Sequence, residues 1–184
     1  MKTKLFVLGL CAMAAFASCS KDDDNDSPKT TEPKVVITED FATATKGTAT
    51  DAGADLWTAT DNFPTATLVY QAAGAVKLGT SSKAGSLETK ALDLSANTGK
   101  VTVKFKVKGW YANAKLTVSM GDETQSVDVV ADKSATTLEE KTVTFTKGTA
   151  TSKIKFETPM VAKSSTDATL VPVRFFIDDI QVIN

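Results

Sequence analysis

Hydrophobic and polar residues alternate with a period of two along most of the chain after residue 33. The clearest example is "KVTVKFKVKG" at 100–109. Its hydrophobic positions are Val101, Val103, Phe105 and Val107, and its polar positions are Thr102, Lys104, Lys106 and Lys108. Because successive side chains of a strand point to opposite faces, this segment is predicted to be a strand with the hydrophobic face buried and the polar face in water.

Shorter segments repeat this alternation, and turn-forming residues separate them. They are "KVVITEDF" (34–41), "TLVYQ" (67–71), "AVKLG" (75–79), "SLETKALDL" (86–94), "KLTVSM" (115–120), "QSVDVV" (125–130), "KTVTFT" (141–146), "KIKFE" (153–157) and "RFFIDDIQV" (174–182). No segment has the 3.6-residue period of a long amphipathic helix. The pattern therefore predicts an all-β domain of two antiparallel sheets packed face to face, a jelly-roll β-sandwich, with a closed barrel as the alternative.

The first residues have the organisation of a signal peptide. Lys2 and Lys4 precede an apolar run at 5–17, which is too short to span a bilayer as a helix. The following "FASCS" resembles the lipobox of bacterial lipoproteins, which implies that residues 1–18 are removed and that Cys19 is lipidated. Ordinary secretory cleavage nearby is the alternative.

Residues 19–33 are predicted to be a lipidated cysteine followed by an acidic, disordered tether, because "SKDDDNDSPKTTEP" is polar, charged and proline-containing. Its start, "SKDDDND", resembles the signal that sends certain Gram-negative lipoproteins to the outside of the outer membrane. The resemblance implies a cell-surface protein that contacts the membrane only through its lipid anchor; a solvated linker is the alternative. Residues 34–184 are then one domain.

Composition excludes several kinds of chemistry. The chain has no histidine, and its two cysteines are Cys11, in the signal segment, and Cys19. Catalytic triads and dyads that need histidine or a thiolate are therefore excluded from the domain, as are zinc sites built on those ligands. The formal net charge is −1, or −3 without Lys2 and Lys4, and Arg174 is the one arginine, so nucleic acid is not an expected partner.

Four segments carry a resemblance to a known class of domain. In chain order they are "EDF" at 39–41, "KAGSLETKALDLS" at 83–95, "VTVKFKVKGW" at 101–110 and the closing "RFFIDDIQV". Their order resembles that of jelly-roll carbohydrate-binding modules and other galactose-binding-like domains. The resemblance implies a structural calcium ion held by Asp178, by Glu39 or Asp40, and by backbone carbonyls at 83–86.

Strand alternation supplies a separate argument for this metal site, because it places Asp178 and Glu39 on hydrophobic faces. The neighbours on those faces are Phe176, Ile180 and Val182 for Asp178, and Ile37 and Phe41 for Glu39. A carboxylate on a core face is costly unless a cation or hydrogen bonds satisfy it. The alternatives are hydrogen bonds at the sheet margins, or a β-bulge that shifts the alternation.

Sugar binding would need exposed aromatic faces with polar groups nearby. The Trp and Tyr residues of the chain are Trp57, Tyr70, Trp110 and Tyr111. Trp110 and Tyr111 lie in "GWYANA" beside Asn113, and neighbours in extended chain point apart, so one ring is expected in the core and the other outside. The predicted ligand-binding residues are Trp110, Tyr111, Asn113 and Trp57, although Trp57 is also suited to closing one end of the sandwich.

Two other functional classes stay open. A glycoside hydrolase needs paired carboxylates, but Glu139 and Glu140 are neighbours that face opposite ways on a strand. A structural or adhesive subunit of a surface complex would need no sugar site. We therefore expect a non-catalytic, surface-anchored lipoprotein that binds a glycan or a protein of a surface complex, with the hydrolase as the least favoured class.

Overall fold

A computed structural model describes residues 32–111, 113–132 and 134–184. The predicted signal peptide, Cys19 and most of the predicted tether lie outside these residues. The strands are β1 (Val35–Glu39), β2 (Thr65–Thr67), β3 (Val69–Gln71), β4 (Val76–Leu78), β5 (Ser86–Glu88), β6 (Val101–Gly109), β7 (Ala114–Met120), β8 (Glu123–Val129), β9 (Glu139–Phe145), β10 (Ile154–Glu157), β11 (Met160–Ala162), β12 (Leu170–Pro172) and β13 (Phe175–Ile183). A single 3₁₀ turn, Asn97–Gly99, precedes β6. None of the described segments is an apolar helix of membrane-spanning length.

The strands form two large antiparallel sheets and one hairpin. The six-stranded sheet has the order β3-β4-β13-β6-β9, with β1 also paired to β13. The five-stranded sheet has the order β2-β5-β10-β7-β8, and β11 pairs with β12. Neighbours in the sheets are often distant in sequence, as in a jelly roll. The predicted jelly-roll β-sandwich is therefore confirmed, and the barrel alternative is wrong.

The main core lies between the two large sheets. The predicted hydrophobic face of β6 is almost fully buried, and Phe105 meets Phe156 of the opposite sheet edge to face, with ring centroids 5.2 Å apart. Burying a side chain of this size contributes roughly 1.5–3 kcal/mol, so the alternation in β6 and β10 places side chains where their burial stabilises the packing of the two sheets.

The predicted strand at 67–71 is divided between the two sheets. Leu68 has a φ of 51°, which interrupts the extended chain between β2 and β3. The chain thereby passes from the five-stranded sheet to the six-stranded sheet within one residue. Hydrophobic alternation does not reveal such a crossing, because both pieces still bury residues in the same core.

A β-bulge in β13 corrects the prediction that Asp178 faces the core. Asp178 pairs with Lys106 and Gln181 pairs with Lys104, so residues 179 and 180 lie opposite a single residue of β6. Asp179, with a φ of 47°, occupies the bulge. The extra residue reverses the alternation, which leaves Asp178 on the outer face with Phe176, while Ile180 returns to the core. The bulge that the sequence left open as an alternative is therefore present next to Asp178.

A second, smaller core covers part of the outer face of the six-stranded sheet. Its buried members are Ala72, Ala75, Trp110 and Phe176, and Ala52 and Leu138 pack against it. This cover buries Lys108, which is only 4% exposed, so the prediction that Lys108 faces water is wrong. Segments between β1 and β2 and before β9 therefore close over one end of a face that the sequence pattern assigns to solvent.

Candidate functional site

Aromatic rings and lysines alternate across four neighbouring strands on this outer face. The strand register aligns Tyr70 with Lys77, Lys77 with Phe176, and Phe176 with Lys108. The Lys77 ammonium lies 4.6 Å from the centroid of the Tyr70 ring, and the Lys108 ammonium lies 4.7 Å from that of Phe176. These are cation–π distances, so each ring partly compensates for the burial of a positive charge.

Both lysines are electrostatically unusual for an outer sheet face. Burial lowers the pKa of Lys77, and the nearby Arg174 guanidinium lowers it further, although Asp51 acts in the opposite direction. Burial also lowers the pKa of Lys108, whose ammonium donates a hydrogen bond to the carbonyl of Ala135. This end of the sheet consequently holds several positive charges close to aromatic surface.

Trp110 and Tyr111 follow β6 at this end and point in different directions. Trp110 is 5% exposed and stacks on Phe176, with ring centroids 5.3 Å apart and the planes 6° from parallel. Tyr111 is 64% exposed and packs edge to face with Trp110, with ring centroids 5.5 Å apart. The expectation of one buried and one exposed ring is therefore confirmed, with Trp110 inside and Tyr111 outside.

Arg174 fixes the geometry of the pair. Its carbonyl accepts a hydrogen bond from the Trp110 amide at 3.0 Å. Its guanidinium carbon lies 4.7 Å from the centroid of Trp110 and 4.9 Å from that of Tyr111. In the part of the chain that the structure describes, Arg174 forms no ion pair with a carboxylate. The sequence indicates that Arg174 is unique but not that it lies against both rings.

A cleft of about 260 Å³ opens beside these three side chains. The β11–β12 hairpin forms its other wall, and Ser81 and Lys163 add polar groups to the lining. Three larger clefts lie elsewhere on the described surface. Two, each of about 530 Å³, have no aromatic residue in their lining, and the third, of about 340 Å³, has only Phe105, which is 1% exposed and presents no ring to a ligand. The smaller cleft is therefore the candidate site for a ligand that needs both apolar and hydrogen-bonding contacts.

The other two predicted ligand-binding residues have structural contacts. Trp57 is 5% exposed and packs edge to face against Phe41 in the main core, so it presents no ring face for a ligand. The prediction that it helps to close the sandwich fits this burial better. Asn113 accepts a hydrogen bond from the amide of Ala131 through its side-chain oxygen at 2.9 Å, which ties the segment after Tyr111 to the end of β8.

The predicted calcium ligands lie on different faces of the six-stranded sheet. Glu39 faces inward, where one carboxylate oxygen accepts a hydrogen bond from the Phe41 amide at 3.3 Å and the other accepts one from the Thr60 hydroxyl at 3.0 Å. Asp178 faces outward because of the bulge. Glu39 is therefore satisfied inside the protein and is separated from Asp178 by the sheet.

Of the predicted first-strand ligands, Asp40 is the one whose charge acts on Asp178. Burial raises the pKa of Asp178, and the charges of Asp179 and Asp40 raise it further. A hydrogen bond from the Asp179 amide, at 2.8 Å, and the charge of Lys106 act in the opposite direction. Asp40 itself accepts a hydrogen bond from the Ala42 amide at 3.1 Å. Asp178 and Asp40 are thus the two predicted ligands whose charges interact.

The predicted carbonyl ligands at 83–86 are engaged elsewhere. The Gly85 carbonyl accepts a hydrogen bond from the Thr158 amide at 3.0 Å. This loop follows β4, whose last residue pairs with Phe175, roughly 10 Å along β13 from Asp178 at about 3.3 Å per residue. Within residues 32–111, 113–132 and 134–184, no three His, Cys, Asp or Glu side chains are grouped to hold a metal. The calcium site stays a prediction.

The two glutamates considered for hydrolysis are exposed neighbours at the start of β9. Glu139 forms an ion pair with Lys141 at 2.6 Å, and Glu140 pairs in register with Lys106 on the neighbouring strand. Since adjacent residues of a strand face opposite ways, these carboxylates do not converge on one substrate bond.

Comparison with known proteins gives likeness of structure only. No protein-family model and no curated protein matches the chain. Among solved structures, the BiXyn10A CBM1 apo module is 16% identical with a TM-score of 0.48, over 82% of this chain and 99% of that chain. CBM35 from Paenibacillus barcinonensis is 18% identical with a TM-score of 0.43, over 79% and 97% respectively. The CBM22-1 xylan-binding domain from Paenibacillus barcinonensis Xyn10C is 16% identical with a TM-score of 0.42, over 81% and 93%.

Proposed function

We propose that this domain binds carbohydrate, without catalysis, in the cleft between Tyr111 and the β11–β12 hairpin. The observation that supports the proposal most is the exposure of Tyr111, whose ring is presented at the rim of a cleft while the other aromatic residue of the pair is buried beneath it. An exposed aromatic residue on a rigid support is what the C–H face of a sugar ring requires.

The surrounding residues suit hydrogen bonding to sugar hydroxyls. Arg174, Lys163 and Ser81 line the same cleft as Tyr111, and their side chains carry a guanidinium, an ammonium and a hydroxyl group. The stack of Trp110 on Phe176 supports Tyr111 from behind, so little side-chain freedom is lost when a ligand binds. The cleft thus combines one apolar platform with a few placed polar groups.

A glycan array followed by calorimetry tests this proposal. Wild type is expected to bind at least one polysaccharide, and Tyr111→Ala is expected to weaken that binding about tenfold, which corresponds to about 1.4 kcal/mol. Leu56→Ala is a matched control, because Leu56 is 59% exposed and does not line the cleft. The proposal fails if wild type binds no polysaccharide, or if Tyr111→Ala binds as tightly as the control.

A second candidate function is that of a structural or adhesive subunit. Met160 is 43% exposed and Leu170 is 59% exposed. The pairing of Ala162 with Leu170 and of Met160 with Pro172 places both side chains on the same face of the hairpin. Such an apolar face favours contact with another protein. If this is the function, the double variant Met160→Ser, Leu170→Ser will lose a partner that co-purifies with wild type, and glycan binding will be absent from both.

The location belongs to the same proposal. Lipidation of Cys19 and the acidic residues after it, both implied by resemblance, would hold the domain at the outer membrane, facing the cell exterior. A glycoside hydrolase is less favoured, since Glu139 and Glu140 face opposite sides of β9.

A further inference from the structure

The charges that line the cleft are of one sign. Arg174 and Lys163 contribute positive charge, and no aspartate or glutamate is among the described residues of its lining. Lys163 forms an ion pair with Asp167 at 3.2 Å, but both side chains are largely exposed, at 64% and 40%. An exposed pair of this kind is weak, so Lys163 can exchange partners at little cost.

A further positive charge lies behind the aromatic residues. The ammonium of Lys77 is 5.1 Å from the centroid of Trp110, on whose ring the Arg174 guanidinium also lies. Burial is the main cause of the lowered pKa of Lys77, and the repulsion between these two cations lowers it further. A negative group bound at Arg174 would relieve that repulsion, whereas a neutral ligand would leave it unchanged.

Arg174 is also prepared to bind a planar anion. The rings of Trp110 and Tyr111 restrict its guanidinium, and no described carboxylate is paired with it. A guanidinium offers two parallel N–H donors, which match the two oxygens of a carboxylate. The same side chain therefore lies next to the platform for a sugar ring and carries the group that recognises a sugar acid.

We propose that the cleft selects glycans that contain uronic acids, with the sugar ring on Tyr111 and its carboxylate on Arg174. This inference rests on the proposed function and specifies its ligand class. The arrangement gives a role to the one arginine of the chain, which lies against both the buried and the exposed aromatic residue.

Calorimetry with matched oligosaccharides tests the inference. The probes are an oligogalacturonate and the same oligomer after reduction of its carboxyl groups, both in the presence of a chelator so that calcium cannot bridge the acid groups. Wild type is expected to bind the acidic oligomer at least tenfold more tightly, and raising the salt from about 0.05 to 0.5 M is expected to reduce that preference by screening.

Three variants locate the effect. Arg174→Gln is expected to lose most of the preference, because only the charge of Lys163 then remains in the cleft. Arg174→Lys is expected to keep more of it, because the positive charge remains without the paired guanidinium donors, and Lys155→Gln, outside the cleft, is expected to behave as wild type. Melting temperatures show whether each variant is folded. The comparison of the two oligomers on wild type tests the inference even if a variant fails to fold. Equal affinity of wild type for the two oligomers overturns this inference and leaves the proposed function intact; binding of neither oligomer, nor of any array glycan, overturns both.

Discussion

The indole of Trp110 lies parallel to the phenyl ring of Phe176, with centroids 5.3 Å apart, on the outer face of the six-stranded sheet. Both rings are almost completely buried, although neither belongs to the core between the sheets. The site therefore stands on a small core of its own. Substitutions in this core should lower stability, whereas substitutions of the exposed Tyr111 should lower ligand binding, so experiments can separate the two effects.

We first predict that the two adjacent aromatic residues have different roles. Trp110→Ala should lower the free energy of unfolding by about 3–5 kcal/mol, as expected for loss of a buried tryptophan, whereas Tyr111→Ala should change it by less than about 1 kcal/mol. Urea denaturation of both variants measures the difference. A similar loss of stability in the two variants would mean that Tyr111 is also part of the support, contrary to its exposure.

Replacing the buried Lys77 should stabilise the protein at neutral pH. Because the pKa of Lys77 is lowered in the folded state, the unfolded chain binds more protons between that lowered pKa and the ordinary value of 10.5. The cost of burying the charge is therefore fully present below the lowered pKa and is lost as the pH rises from that pKa through the ordinary value of 10.5. Lys77→Met should raise the Tm at pH 7 by a few degrees, on the order of 2–4 °C per kcal/mol, and lose this advantage at high pH.

Lys115→Met is the control for this comparison, because Lys115 is 62% exposed and forms an ion pair with the exposed Asp128. The unfolding free energy of wild type and of each variant is measured from pH 7 to 10.5. Titratable groups that wild type and variant share cancel in the difference between them. A Lys77→Met difference that does not change with pH would show that packing, rather than charge, determines its stability.

The predicted calcium site is tested by melting experiments in calcium and in chelator. If calcium is held by Asp178 and Asp40, calcium raises the Tm of wild type, Asp178→Asn removes this increase, and Glu39→Gln, whose carboxylate is satisfied by Phe41 and Thr60, retains it. Identical melting of wild type in calcium and in chelator would contradict the prediction.

Cys19→Ala should release the full-length protein from membranes into the soluble fraction. We expect this release because acyl chains on Cys19 would supply the apolar contact with the bilayer. Fractionation of cells that express wild type or the variant measures this. Cys11→Ala, inside the predicted signal segment, is the matched control and should remain membrane-bound. Full membrane retention of Cys19→Ala would contradict lipid anchoring.

Sequence alternation predicts the sandwich well where the strands are regularly pleated. In β6 the valines and Phe105 enter the core as expected, and the same reasoning separates Trp110 from Tyr111. It fails where the backbone leaves the regular pleat. Leu68 and Asp179 both adopt positive φ, and each changes the sheet or the face to which the following residues belong. Neither residue is a glycine, so composition gives no warning.

The site is less predictable from sequence than the fold because its parts come from distant segments. Lys77 and Lys108 are typical solvent-facing residues in their own strands, and only the covering segments near Ala52 and Leu138 bury them. Arg174 is recognisable as the one arginine, but its contact with Trp110 depends on the pairing of β13 with β6. Periodicity along one strand contains no information about either contact.

The pairing of Lys34 with Asn184, through two backbone hydrogen bonds, places the start of the domain at one end of β13 while the cleft lies at the other, roughly 27 Å away at about 3.3 Å per residue. A pull between a bound glycan and the preceding chain would be directed along β1 and against β13. Hydrogen bonds between antiparallel strands are perpendicular to this direction, so they would bear the load together in shear rather than open one after another. If the domain binds a glycan as proposed, its topology is thus suited to holding that glycan under mechanical tension.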